Sequence, residues 1–408
     1  MTFFISFYYL LICIAHLCAM PFLLTLSFKQ KYKTSIKKRF FFPTFFQESA
    51  ALYWFHACSY GEIKSLQNIL LSLQEQLTND EKILITTTTQ TGYNLAKTSF
   101  PNAIVCFLPF ESFIPFWIKS LKLKNFTLTE AELWLMPLVC AKKKGATTLL
   151  INARISSNSY PKYLKFAFFY KRLFSFIDKI FCQRKIDKKH LKTLGAKNIK
   201  VFGNLKLNEI PQITKHYQKP NQELWLVAST HQKNSQYEEI LILEQILKIL
   251  PKDLSKSPRI LFAPRHPERF HSIAILLNQT LKAHKLPPLA IASKSSIQET
   301  INAPFGLIDT LGELNNLYSI SSLVILGGSF LPNIGGHNPI EPAFFGAKLI
   351  SGPYIFNQKS LFMALQNYTI SDLKNLAEIL AKSDLLEPTK ITKKLDISKI
   401  INTIKGTK

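Results

Sequence analysis

Glu62 closes the segment His56-Ala57-Cys58-Ser59-Tyr60-Gly61-Glu62, after which Ile63, Leu66, Ile69, Leu70, Leu73 and Leu77 recur at helical spacing. A carboxylate in the first turn of a helix is favoured in its ionised form by the helix dipole and the free N–H groups. Facing a ligand, it can take the proton of a sugar hydroxyl as a general base. The same position also suits an acid that merely decorates a helix start, with Ser59 as its N-cap. A second constellation lies far along the chain, in Gly335-Gly336-His337-Asn338-Pro339-Ile340-Glu341-Pro342-Ala343. There an apolar run and a glycine turn lead into a helix with Pro339 near its first position, where the missing N–H is no loss. Free N–H groups at such a start, reached through glycines, suit a phosphate, and Glu341 offers an acceptor for ribose hydroxyls. Only 14 of 408 residues are glycine, so several in one loop are a signal, although an ordinary strand–turn–helix corner also uses them.

Three further loops have the same character: Ala228-Ser229-Thr230-His231, Ala263-Pro264-Arg265-His266-Pro267-Glu268-Arg269 and Asp309-Thr310-Leu311-Gly312-Glu313-Leu314. Each follows an apolar strand pattern and precedes a helical one. Arg265 supplies a guanidinium fork for phosphate, Ser229 and Thr230 supply hydroxyls, and Gly312 permits close backbone approach. Together with the loop 335–341 they outline a nucleotide-sized pocket.

Lesser candidates sit in the first half. The hydroxyl run Thr86-Thr87-Thr88-Thr89-Gln90-Thr91-Gly92 suits either oxygen contacts or a capped strand end. Glu130 and Glu132 are two apart, so on a strand they point to opposite faces and do not make a catalytic pair. Arg154 and Lys206 are plausible anion contacts.

Elements must position these groups, and beyond residue 50 short β-rich runs alternate with helical patterns, which predicts an α/β architecture of parallel sheets. One strand series occupies 52–56, 83–88, 104–108, 127–133, 148–152, 179–182 and 199–202. A second occupies 224–228, 259–263, 289–292, 306–309, 322–326 and 348–351. The polar stretch 208–223 between them reads as a linker. The expectation is therefore two doubly wound, Rossmann-like domains, 41–207 and 224–408, with ligands in a cleft at the carboxyl ends of their strands.

From Met1 to Phe28 there is no Asp, Glu, Lys or Arg, long enough to span a bilayer, which needs about 20 residues. Lys29, Lys31, Lys33, Lys37, Lys38 and Arg39 follow at once, so residues 1–40 read as a membrane anchor with a basic flank. By the positive-inside rule the body then lies on the cytoplasmic side. A hairpin or interfacial helix bent at Pro21 fits the same residues, and His16 reads as tolerated near an interface. A cleavable signal peptide fits poorly, because no basic segment precedes the apolar run. The net charge of +25 points to a polyanionic partner: an anionic membrane surface, a phosphorylated substrate or nucleic acid. Regular basic–aromatic alternation of the single-strand-binding kind is absent, which disfavours nucleic acid. Six scattered cysteines without a CxxC pair read as buried thiols rather than a disulfide framework or zinc site.

These motifs, in order from Phe3 to Asn357, resemble the 3-deoxy-D-manno-octulosonic acid (Kdo) transferases of lipopolysaccharide assembly. The resemblance is carried by the apolar N-terminus and the segments 56–62, 86–92, 108–111, 130–134, 152–156, 202–206, 228–231, 263–270, 310–314, 326–330 and 335–343. It implies a glycosyltransferase type B fold whose first domain receives the lipid A precursor and whose second binds CMP-Kdo. It implies Glu62 as proton acceptor and Glu130 and Lys206 as groups that stabilise the transition state. The CMP contacts it implies fall on Arg265-His266, Leu311-Gly312-Glu313 and Asn338-Pro339-Ile340-Glu341, beside Ser229, Thr230 and His231. The implied chemistry is inverting displacement without a metal or other cofactor, and the sequence shows no DxD-like pair placed for Mg²⁺. The family pattern Glu-Thr-Glu-x-Trp-Pro-Asn stands here as Glu130-Ala131-Glu132-Leu133-Trp134-Leu135-Met136, so the side chains of that Thr, Pro and Asn are not available to the local turn. Cys58 and Tyr60 vary the first motif while Glu62 is intact. The rival expectations are a nucleotide-sugar epimerase of the same fold and a non-catalytic basic protein of the membrane surface.

Overall fold

The structure is a computed structural model that describes residues 3–30, 32–45 and 47–406; Lys31 of the basic flank lies outside them. The chain divides into two compact units, the first running to Glu209 and rejoined by the residues from Leu395 on, the second spanning Ile210–Lys394.

The first unit is built on β1 (Ala51–His56), β2 (Glu81–Thr87), β3 (Ile104–Phe107), β4 (Lys122–Thr129), β5 (Thr147–Ala153), β6 (Lys179–Cys182) and β7 (Ile199–Val201). They form one seven-stranded sheet in the order β3-β2-β1-β4-β5-β6-β7, parallel at every pairing. Leu52, Trp54 and Phe55 are wholly buried, as expected where helices cover both faces of a parallel sheet. The chain fills one side of β1 with β2 and β3 before crossing to β4. The switch point therefore falls between β1 and β4, whose carboxyl ends are the ligand position of such sheets. The strand expected at 127–133 instead runs Lys122–Thr129. Lys122 and Lys124 disguise its start by standing exposed between buried positions, and Glu130, with φ 52 in the left-handed region, ends it.

The second unit holds β8 (Leu224–Thr230), β9 (Arg259–Pro264), β10 (Ala290–Ile291), β11 (Phe305–Leu307), β12 (Leu323–Leu326), β13 (Lys348–Ser351) and β14 (Tyr368–Ile370). Their order is β10-β11-β9-β8-β12-β13-β14, again parallel throughout. Here the switch point lies between β8 and β12. The sequence reading lacks β14, a three-residue edge strand whose residues carry little apolar signal.

The chain ends differ from the sequence expectation. Leu395 exchanges both backbone hydrogen bonds with the side chain of Asn208, at 2.9 and 2.7 Å. Ile400, Ile401 and Ile404 on the helix Ser398–Lys405 then pack beside Leu66, Ile69 and Leu70 in the first unit. A short helix with one apolar edge must bury it on an existing core, and this one returns to the first. Nor is 208–223 a free linker. Within the second unit Asn316 Oδ1 accepts from the backbone N–H groups of Thr214 and Lys215, at 2.8 and 3.2 Å.

The helix Phe3–Leu26 has 24 residues, about 36 Å at 1.5 Å per residue, and is long and apolar enough to cross a membrane. Phe3, Phe7, Leu10, Leu11, Ile14 and Leu17 are exposed. Polar side chains meet the first unit instead: Tyr9 Oη donates to Ser112 O at 2.8 Å, and His16 bridges Ser112 Oγ at 2.7 Å and Phe40 O at 2.9 Å. His16 is thus a buried fastening rather than a residue tolerated at an interface. Tyr8 Oη donates to the Glu111 carboxylate, whose other oxygen accepts from Met136 N at 2.7 Å. Glu111 therefore caps the helix Leu135–Lys143 from outside, where the N-cap residue Trp134 makes no side-chain cap bond.

Candidate active site

The helix Tyr60–Gln74 starts directly after β1, and its Ser59 cap accepts from Glu62 N at 3.4 Å. Glu62 folds back, so that Oε2 accepts from Cys58 N at 2.6 Å and from Thr129 Oγ1 at 3.3 Å. The Cys58 carbonyl is held by the hydroxyls of Thr87, Thr88 and Thr89, at 2.9, 3.4 and 2.8 Å. The threonine run is thereby assigned to the loop beneath Glu62. Burial first, and the charge of Glu130 second, push the Glu62 carboxyl up to about 7, against the opposing Cys58 N–H. That is the range in which a carboxylate is an effective general base at neutral pH.

The other residues of this switch point converge on Glu62. Glu130 leaves the end of β4 and accepts from Arg154 Nε at 2.8 Å and from Asn152 Nδ2 at 3.4 Å. Asn152 Oδ1 accepts from Leu205 N at 3.1 Å, which fixes the turn Leu205–Asn208 that carries Lys206. A Cβ on Gly61 would lie 4.0 Å from Lys206 Nζ, so the ammonium sits over the backbone next to Glu62. Two carboxylates and two cations thus share one strand-end surface. Glu132 turns the other way, towards His56 and Trp134; the strand expected to set the two acids on opposite faces ends at Thr129, so a turn rather than strand alternation separates the pair.

Asn152 was not among the sequence candidates. Its left-handed φ of 53 and its two side-chain bonds make it the brace between Glu130 and Lys206. Asn152→Ala should cost about 1–3 kcal/mol through the stranded Leu205 N–H and lower turnover more than tenfold. Asn152→Gly, which tolerates the left-handed backbone, should recover part of the melting temperature and none of the turnover.

In the second unit the loops after β8, β9 and β12 meet. Ser229 takes φ 56 at the end of β8. Thr230 Oγ1 donates to Glu239 at 2.6 Å, and Glu239 is bound through both oxygens by Arg269 Nη2, at 2.8 and 2.9 Å. Glu238 is wholly buried. Its Oε2 accepts from His231 N and Gly328 N at 2.8 and 2.6 Å, and its Oε1 from Phe330 N and Leu331 N at 2.8 and 3.3 Å. One carboxylate therefore ties the 228–231 loop to the 327–331 loop. Sequence reasoning missed both acids; the available signal was an acidic pair opening the helix Glu238–Leu247 directly after Thr230-His231.

His231 Nε2 lies 2.7 Å from His337 Nε2, and the His231 and His266 rings meet edge to face at 4.8 Å. Burial first, with the neighbouring cations, lowers His231 to about 4 and His337 to about 3, so both are neutral at pH 7 and share one N–H···N bond. Arg265 stands exposed beside them. Asn338 Oδ1 accepts from Ile340 N at 3.1 Å, and Pro339 is the cap of the helix Ile340–Phe344, one residue before the position expected for it. Glu341 lies in its first turn; burial first, with the Glu341 charge, raises the Tyr318 phenol. Gly335 has φ 103, and a Cβ there would fall 2.2 Å from Asn357 Nδ2. Its absent side chain is thus a packing requirement of the loop. Gly312 has φ 89 with open space where a Cβ would be, and Leu311 beside it is exposed. The Glu313 carboxylate is occupied by Lys215 Nζ, Tyr217 Oη and Asn316 Nδ2, at 2.7, 2.8 and 2.7 Å, so its side chain is already engaged within the second unit.

Two doubly wound units, each with its polar residues at the carboxyl ends of the strands, make this a fold of the glycosyltransferase type B class. A UDP-GlcNAc 2-epimerase from Neisseria meningitidis solved with UDP-GlcNAc shares that fold at a TM-score of 0.52 and 13% identity, over 88% of this chain and 94% of the other. The family model described as 3-deoxy-D-manno-octulosonic-acid transferase (kdotransferase) matches residues 34–209. The 3-deoxy-D-manno-octulosonic acid transferase of Haemophilus influenzae is 30% identical over 349 residues, covering 81% of this chain and 76% of the relative. The chain belongs to the Kdo transferase family of glycosyltransferases. A bifunctional glycosyltransferase/methyltransferase of Fusobacterium nucleatum is 28% identical over 89% of this chain, which spans 57% of that longer protein.

Proposed function

We propose that the protein transfers Kdo from CMP-Kdo to a lipid A precursor at the cytoplasmic face of the inner membrane, with inversion and without a metal taking part in the transfer. The observation that carries this reading is Glu62, a half-buried carboxylate with its pKa near 7, beside Lys206 and the Glu130–Arg154 pair in a chain of this family. Ionised Glu62 takes the proton of the acceptor hydroxyl. The hydroxyl oxygen bonds to the anomeric carbon of Kdo from the face opposite CMP, and the bond from that carbon to the phosphate oxygen breaks with its electron pair leaving on CMP. Arg265 and the 335–341 loop meet the nucleotide, Glu341 the ribose, and Lys206 the charge that develops as the donor opens. The apolar helix Phe3–Leu26 and the basic residues after it support the membrane assignment.

Incubating membranes that carry the protein with CMP-Kdo and lipid A precursor, and weighing the lipid by mass spectrometry, tests the reading; an unchanged lipid mass overturns it. The same product counts the Kdo residues added. Glu341→Ala should raise the dissociation constant for CMP-Kdo at least tenfold, equivalent to about 1.4 kcal/mol. Titration calorimetry on the full chain measures it, and unchanged affinity removes Glu341 from the donor site.

A further inference from the structure

Behind Glu62 lies a second constellation that the transfer reaction does not use. His56 Nε2, Cys58 Sγ and a Glu132 oxygen all lie within 4.8 Å of one another, and no other such group of three occurs among the described residues. Nε2 stands 3.8 Å from Glu132 Oε2 and 3.8 Å from Cys58 Sγ. A tetrahedral zinc ion sets nitrogen, sulfur and oxygen donors about 3.3–3.7 Å apart, so His56 Nε2 meets that spacing to both partners within a few tenths of an ångström, while Cys58 Sγ and the Glu132 oxygen lie within 4.8 Å of each other.

Their surroundings are built in the way metal ligands are supported. His56 Nδ1 lies 3.0 Å from the Thr86 carbonyl, which requires a donor and therefore assigns the ring proton to Nδ1. The Nε2 lone pair is then left facing Cys58 and Glu132, the orientation a metal-ligating imidazole needs. The indole N–H of Trp134 holds Glu132 Oε2 at 2.8 Å. The Cys58 peptide is pinned at its carbonyl by the Thr hydroxyls and at its N–H by Glu62. Imidazole nitrogen, thiolate and carboxylate together select a borderline-soft divalent ion over Mg²⁺ or Ca²⁺. Thiolate and carboxylate would neutralise its two charges. His56 is wholly buried while the Glu132 side chain is 23% exposed, so the cluster opens to solvent on the Glu132 side.

We propose that His56, Cys58 and Glu132 bind a zinc-like divalent cation, and that its occupancy restrains Glu62. The ion would sit behind the peptide whose N–H holds the Glu62 carboxylate at 2.6 Å, and would fix that peptide, and the carboxylate bound to it, in place. This second clause rests on the proposed function; the site itself does not.

The test uses the full chain, stripped with chelator and then titrated with Co²⁺ alone. The expected result is one bound ion with the near-ultraviolet thiolate-to-cobalt band, discharged by Zn²⁺. Cys58→Ser should lack the band and bind Zn²⁺ at least tenfold more weakly. Absence of the band in the wild type, or its persistence in Cys58→Ser, overturns the site, and the wild-type spectrum decides even if the variant folds poorly. In transfer assays begun in chelator, micromolar Zn²⁺ should slow the wild type and spare Cys58→Ser; equal inhibition of both overturns the coupling. Failure of the wild type to transfer in chelator counts against the proposed function instead and leaves the cobalt spectrum to judge the site.

Discussion

Glu62→Gln should lower the turnover of Kdo transfer by about 10²–10⁴-fold, the range attributable to a positioned general base, and leave the affinity for CMP-Kdo unchanged. The amide keeps the size of the side chain and one acceptor for the Cys58 N–H, so lost activity in a folded protein reports the missing base. The pH profile gives a second signature. As the proposed base Glu62 must be ionised, and its carboxyl is pushed up to about 7, so kcat/KM of the wild type should fall as pH drops through about 7. A limb near the ordinary carboxylate value would place the base elsewhere. Stability carries the opposite sign. The folded-state value lies above the unfolded one, so the folded chain binds the extra proton between about pH 4.5 and 7. The stabilisation from Glu62 is fully present below the unfolded value and is lost as pH rises through about 7. Glu62→Gln should accordingly raise the melting temperature at pH 8 more than at pH 5, as expected when a catalytic charge is kept half-buried at the expense of stability.

How far the sequence reaches is clear from particular residues. Periodicity and turn signals locate the buried strands well, because Leu52–Phe55 or Leu323–Leu326 are apolar on both faces and announce a parallel sheet. They fail where a strand alternates with lysine, as at the start of β4, and where a residue adopts a left-handed backbone, as at Glu130. Glu62, Arg265 and the glycine loop 335–341 are legible because helix starts and strand ends have local signatures. Asn152 and Glu238 are not: each acts by joining loops that are remote in sequence, and a single Asn or Glu in a polar turn says nothing of its partners. Tail packing is illegible for a similar reason. Ile400, Ile401 and Ile404 announce that an apolar edge must be covered, and only the three-dimensional core shows which unit covers it.

Glu238 ties together the 228–231 and 327–331 loops of the second unit. Each of its oxygens accepts from two backbone amides, and the side chain is wholly buried. Burial pushes its carboxyl up, while the four N–H groups oppose that shift. All four partners are donors, so the arrangement suits the ionised form; a protonated oxygen would turn its O–H against an N–H. In Glu238→Gln the NH₂ must face two of these amides, and each buried donor left unmatched costs about 1–3 kcal/mol. The second unit should lose at least about 2 kcal/mol, and CMP-Kdo affinity should fall because the 228–231 and 327–331 loops are no longer tied. A single unfolding transition is not assured in a chain of two units. Amide hydrogen exchange resolved by peptide is therefore the measurement: His231, Gly328 and Phe330 should exchange faster in the variant, and Cys58 N–H at the wild-type rate. Unchanged protection at Gly328 and Phe330 would mean that an amide replaces the carboxylate without loss, and that the native Glu238 is a neutral acid rather than the charge around which these loops are folded.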